Sequence, residues 1–169
     1  LCPAVSVECG KPGNPANEAE AARFLEACLH LSEFPAHAAR ESDIDLYHTV
    51  AVVKVPLQIG FGFGDAGAEL DFDPQLDHMN FRELPAGTVF GRTRHAAPLD
   101  VRDETGRDVA ADFFSVADGV VRLRRATMPA MLTPDVRAVR QDCLFYLMER
   151  VPFDPVRRAR LHAAVSPQA

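Results

Sequence analysis

The sequence predicts an α+β fold: a strand–helix piece of α/β character, then a β-rich barrel or sandwich, then a C-terminal helix. Three observations predict it. A short β-rich run, a Pro/Asn/Gly loop and an apolar-periodic segment follow one another over residues 4–31. Turn residues then separate short β-branched runs between residues 46 and 123. A helix-start signal with helically spaced apolar residues occupies residues 133–150. The expected divisions are 1–43, 44–130 and 131–169.

Each element has its own signal. Ala4, Val5 and Val7 read as a buried strand that ends on Glu8, Cys9 and Gly10. Residues 11–17 hold two prolines, a glycine and two asparagines, so they read as a loop. Asn17 is the expected N-cap of a helix over 18–31, with Glu18 and Glu20 in its first turn and Ala22, Leu25 and Leu29 at helical spacing. Residues 46–55 form a β-branched run that Pro56 ends, and Gly60, Gly62, Gly64 and Gly67 follow. With no strand–turn–helix context these glycines are not a dinucleotide fingerprint, and they mark bulges or close backbone approach. Further strands are expected at 88–91, 99–102, 110–114 and 120–123, with a turn at Asp103-Glu104-Thr105-Gly106. Thr133 and Pro134 open the last long helix, which runs to about Arg150, and a second short helix is expected from Pro155.

Composition excludes several function classes. The 169 residues carry 18 basic and 24 acidic side chains, a net charge of −6, which leaves no electrostatic footprint for nucleic acid or an anionic membrane. No apolar run approaches the roughly 20 residues that span a bilayer. Four scattered cysteines make neither a disulfide framework nor a zinc knuckle, so a reducing cytoplasm is expected. The chain opens at Leu1 on an apolar segment, which suggests a processed N-terminus or the C-terminal part of a longer protein.

Glu8 is the leading candidate for chemistry, because open α/β sheets place active sites at the carboxyl ends of their strands. Beside a metal its carboxylate could act as a general base; otherwise it is a loop glutamate paired with Lys11 or a helix end. His30-Leu-Ser-Glu33 has the His-x-x-Glu spacing of some zinc sites, but His is also favoured at a helix C-terminus. Asp77, His78 and Asn80 form a polar cluster that reads as a turn. Arg122, Arg124 and Arg125 read as the solvent face of an edge strand. No nucleophile elbow, Walker loop or His-Glu-x-x-His is present.

The run Pro-Ala-Val-Ser-Val-Glu-Cys-Gly (3–10) resembles a strand of the succinylglutamate desuccinylase/aspartoacylase family, zinc-dependent deacylases related to the M14 carboxypeptidases. A second match, Leu-Asp-His-Met-Asn-Phe-Arg-Glu-Leu-Pro-Ala-Gly (76–87), is similar to a segment of the family's C-terminal domain and follows in the family's order. The resemblance covers residues 3 to about 128. It implies the end of a carboxypeptidase-like α/β domain followed by a β-rich domain, with Glu8 as general base and a small acylated amino acid or similar amide as substrate. It also implies zinc in the intact protein. The family's ligands precede the base, so none are expected in this chain alone, and His30 and Glu33 are not assigned to the metal. Residues 114–120 stand where some members present an Asn-Glu stretch to the active site. An apolar strand over 4–7 without sheet neighbours further suggests a homo-oligomer. The alternative reading is a non-catalytic β-rich binding or oligomerisation module of the biotinyl/lipoyl barrel-sandwich kind. A carrier of that kind needs a hairpin-tip lysine, and the chain's lysines are Lys11 and Lys54.

Overall fold

The computed structural model describes residues 6–10, 13–33 and 40–152. Its internal contacts divide the chain into two units, Leu1–Asp43 and Ile44–Ala169. The fold is mixed α+β and rich in strands, and among the described residues it contains two sheets and few helices.

The first unit is built on α1 (Pro15–Leu29). The helix begins earlier than the acidic turn suggests. Asn14, not Asn17, is the N-cap: its side chain accepts from the Ala16 N–H at 3.0 Å, and Pro15 takes the first helical position. Asn17 lies inside the helix, and its side chain fills the space that a Cβ on Gly10 would need. None of the described residues of α1 is buried, and Leu29 is 85% exposed.

The second unit holds both sheets. One is antiparallel, with β1 (Leu46–Lys54), β5 (Asp100–Arg102), β8 (Met128–Ala130) and β9 (Phe145–Val151) in the order β5-β1-β9-β8. The other has β2 (Phe61–Phe63), β3 (Leu70–Phe72), β4 (Val89–Thr93), β6 (Phe114–Ala117) and β7 (Val120–Leu123) in the order β2-β3-β4-β7-β6. Among the described strands only the β2–β3 pair is parallel. Neither sheet closes into a barrel. The apolar faces meet around three phenylalanines. Phe145 of β9 lies 5.2 Å from Phe90 of β4 and 6.3 Å from Phe114 of β6, centroid to centroid. Val53 and Leu147 are fully buried beside them, while the alternate residues Val52 and Tyr146 are only half-buried, as the two-residue strand period requires.

Three expectations are corrected. The last helix, α3 (Val136–Gln141), is short; Asp135 caps it, accepting from the Arg137 and Ala138 N–H groups. The apolar residues after it belong to β9. Their spacing fits either period, and pairing with β1 (Val53 opposite Phe145) decides for the strand. Residues 110–113 form α2 (Ala110–Phe113) rather than a strand, because the Asp108 carboxylate accepts from the Ala110 N–H at 3.0 Å and starts a helical turn. Finally, β7 is not an edge strand: it lies between β4 and β6, although Arg122 does face solvent. The short helix expected from Pro155 lies outside the described residues.

Two turns carry their sequence logic into the fold. Asp118 (φ 51°) and Gly119 (φ 70°) form the two-residue loop of the β6–β7 hairpin, and both need the positive φ that a type I′ turn imposes. The expected Asp103–Gly106 turn forms, with the Gly106 N–H donating to the Asp103 carbonyl at 2.9 Å. The Asp103 carboxylate also accepts from the Thr105 hydroxyl and from the Thr105 and Arg107 N–H groups. That Thr105 hydroxyl bond, ahead of the backbone bonds, holds the Asp103 carboxyl below its ordinary value.

Candidate functional site

Glu8 is exposed, on a segment (6–9) that carries no regular secondary structure. Val7 before it is 46% exposed, so the described part of the expected buried strand is neither a strand nor buried; residues 4 and 5 lie outside the described residues. His30 is the C-cap of α1, and Glu33 is exposed beyond it. Among the described residues no group of three His, Cys, Asp or Glu side chains is placed to hold a metal ion. A zinc site needs three or four such ligands, so these residues do not fit the metal that the family resemblance implies.

The 76–87 motif has structural work. Leu76 opens a 3-10 turn (Leu76–Met79) and is fully buried. Asn80 follows, and its side chain clasps the backbone of Leu132: its amide donates to the Leu132 carbonyl at 2.8 Å and its oxygen accepts from the Leu132 N–H at 2.7 Å. Phe81, at φ 57°, donates its N–H to the Pro129 carbonyl at 2.8 Å, and Leu84 bridges to Thr127. The expected polar turn at Asp77–Asn80 is therefore a staple between two loops.

A cleft of about 650 Å³ opens beside the end of β1. Its floor is apolar, formed by Val55, Leu99 and Val139, all buried. One wall carries Lys54, Asp100 and Arg102; the other is the end of α3 with Arg140 and Asp142. Strand pairing positions the first wall, with Lys54 opposite Asp100. The Asp100 carboxylate is taken by Arg102 Nε at 2.6 Å, and Arg102 also reaches Asp108 at 3.6 Å. Lys54 forms no ion pair or hydrogen bond among the described residues.

The second wall is fixed by Arg140. Its guanidinium donates to the carbonyls of Val55, Pro56 and Ile59 and lies over the Phe61 ring. Beyond it, the Asp142 carboxylate lies 3.4 Å from the Tyr146 hydroxyl and 3.7 Å from Cys143 Sγ. Burial pushes the Cys143 thiol up, and the Cys143 side chain, ahead of burial and Asp142, pushes Tyr146 up to about 12. Both therefore stay protonated near neutrality, and Tyr146 remains a donor toward Asp142.

A second polar cluster lies where β1 begins and β9 ends. Arg150 donates to Glu83 at 3.0 Å, to the Tyr47 hydroxyl at 2.7 Å and to Asp45, and its guanidinium sits 5.0 Å from the Tyr47 ring centre. Neither cluster was singled out from sequence. Their members lie far apart in the chain, and only the pairing of β1 with β9 brings Tyr47 to Arg150 and the end of β1 to residues 142–146.

No protein-family model, curated protein or solved structure matches the chain. No helix among the described residues is long and apolar enough to cross a membrane.

Proposed function

We propose that this chain is part of a cytoplasmic, zinc-dependent amide hydrolase that deacylates N-acyl amino acids or similar small amides, with Glu8 as general base. One observation carries the reading: the Glu8 motif (3–10) and the 76–87 motif stand together in the order of the succinylglutamate desuccinylase/aspartoacylase family. In this role the Glu8 carboxylate takes a proton from the attacking water and delivers it to the departing amine. In this reading, as the family resemblance implies, the zinc ligands precede Glu8 in the intact protein. Self-association through residues 4–7 belongs to the same reading.

The second reading, a non-catalytic binding or oligomerisation module, draws on the cleft beside Lys54. The β6–β7 hairpin tip is Asp118–Gly119 and Lys54 is the last residue of β1, which argues against a biotin or lipoyl carrier within the described residues. A substrate panel separates the two readings. The protein as its gene encodes it is assayed for hydrolysis of N-acetyl and N-succinyl amino acids, with zinc measured on the same sample. Turnover that chelation abolishes and zinc restores supports the hydrolase; zinc-free protein with no turnover on any member contradicts it.

A further inference from the structure

We propose that the cleft between β1 and α3 binds the zwitterionic head of an aliphatic α-amino acid, with Lys54 taking the carboxylate and Asp142 the ammonium. Both side chains line the cleft, and they form no ion pair with one another. Two opposite charges that line one cavity without forming an ion pair match a ligand that carries both charges close together.

The other charges on the walls are already engaged. Asp100 and Asp108 share the Arg102 guanidinium, at 2.6 and 3.6 Å, and the Arg140 nitrogens donate to three backbone carbonyls. This leaves Lys54 for an incoming anion and Asp142 for an incoming cation. Asp142 is also oriented, since the Tyr146 hydroxyl and the Cys143 thiol sit against one of its oxygens. The Arg140 clasp fixes the α3 wall to the segment that follows β1, which lowers the ordering cost on that wall. The floor of Val55, Leu99 and Val139 suits an aliphatic side chain, and about 650 Å³ is within the range of small-molecule sites. The inference does not depend on the hydrolase reading: the site lies wholly in the second unit and involves no residue of the Glu8 motif.

The test is titration of the whole chain with three compounds of matched hydrocarbon: L-leucine with both charges, 4-methylpentanoate with the carboxylate only, and isopentylamine with the ammonium only. Binding is read by calorimetry and by backbone amide shifts. Leucine is expected to saturate, with shifts at Val55, Val139 and Gln141, and each single-charge compound to bind roughly tenfold or more weakly. Lys54→Met and Asp142→Asn each weaken leucine by about the same factor. Both side chains are exposed, so an unchanged amide spectrum verifies that the variants are folded. The proposal is overturned if leucine does not saturate, if either single-charge compound binds as well, or if both variants bind leucine as the unmodified chain does.

Discussion

The guanidinium of Arg140 lies 4.5 Å from the centre of the Phe61 ring. Its nitrogens meanwhile donate to the carbonyls of Val55, Pro56 and Ile59. One side chain thus ties α3 to the loop that leaves β1 and carries the chain into β2. Arg140→Met keeps much of the apolar stem but removes every donor. It is expected to cost about 1–3 kcal/mol in urea unfolding, and Arg140→Lys to recover only part, since an ammonium lacks the planar fork. An unchanged midpoint for Arg140→Met would mean that water replaces the clasp at no cost.

The sandwich core predicts a contrast between two apolar truncations. Phe145 is fully buried between Phe90 and Phe114. Phe145→Ala should cost about 3–5 kcal/mol. Leu29→Ala, on the exposed face of α1, should stay within about 0.5 kcal/mol. Both are read from denaturant midpoints of the whole chain.

Asn80 makes a narrower prediction from within the 76–87 motif. Asn80→Ala leaves the N–H and carbonyl of buried Leu132 without the side chain that pairs them. The expected loss is about 1–3 kcal/mol. Faster hydrogen exchange at the Leu132 amide should accompany it, while exchange at the Asp118–Gly119 tip of the β6–β7 hairpin stays unchanged.

Glu69 sets a pH dependence. Its carboxylate accepts from the Gly60 N–H at 2.8 Å and lies 3.1 Å from His95 Nε2. The Gly60 bond first, and His95 second, hold its carboxyl below the ordinary value. A carboxyl lowered by folding contributes stability above its unfolded pKa and loses it as the pH falls through the folded value. The difference in Tm between the unmodified chain and Glu69→Gln should therefore be present near neutrality and shrink as the pH falls from about 5 to below 4. A difference that grows on acidification would reverse the assignment.

Legibility in the sequence followed the strength of local signals. The β-branched run of β1, the strand at Val120–Leu123 and the Asp103–Gly106 turn could all be read, because period or turn chemistry specified them alone. Residues 143–148 could not, since their apolar spacing fits both a helix and a strand and the choice falls to pairing with β1. Asn17 was a plausible cap, but Asn14 followed by Pro15 was the better one. The cleft was hidden for a different reason. Lys54 and Asp142 become neighbours of one cavity only through tertiary pairing, and the Arg140 partners are backbone carbonyls, which leave no trace in residue identity.

Glu8 is the proposed proton acceptor, and one variant tests that role most directly. Glu8→Gln is prepared in the protein as its gene encodes it, and zinc content and N-acyl amino acid hydrolysis are measured on the same sample. Loss of a general base predicts a fall in kcat of about 10²-fold or more with zinc content unchanged. Hydrolysis at the unmodified rate in Glu8→Gln would contradict the assignment.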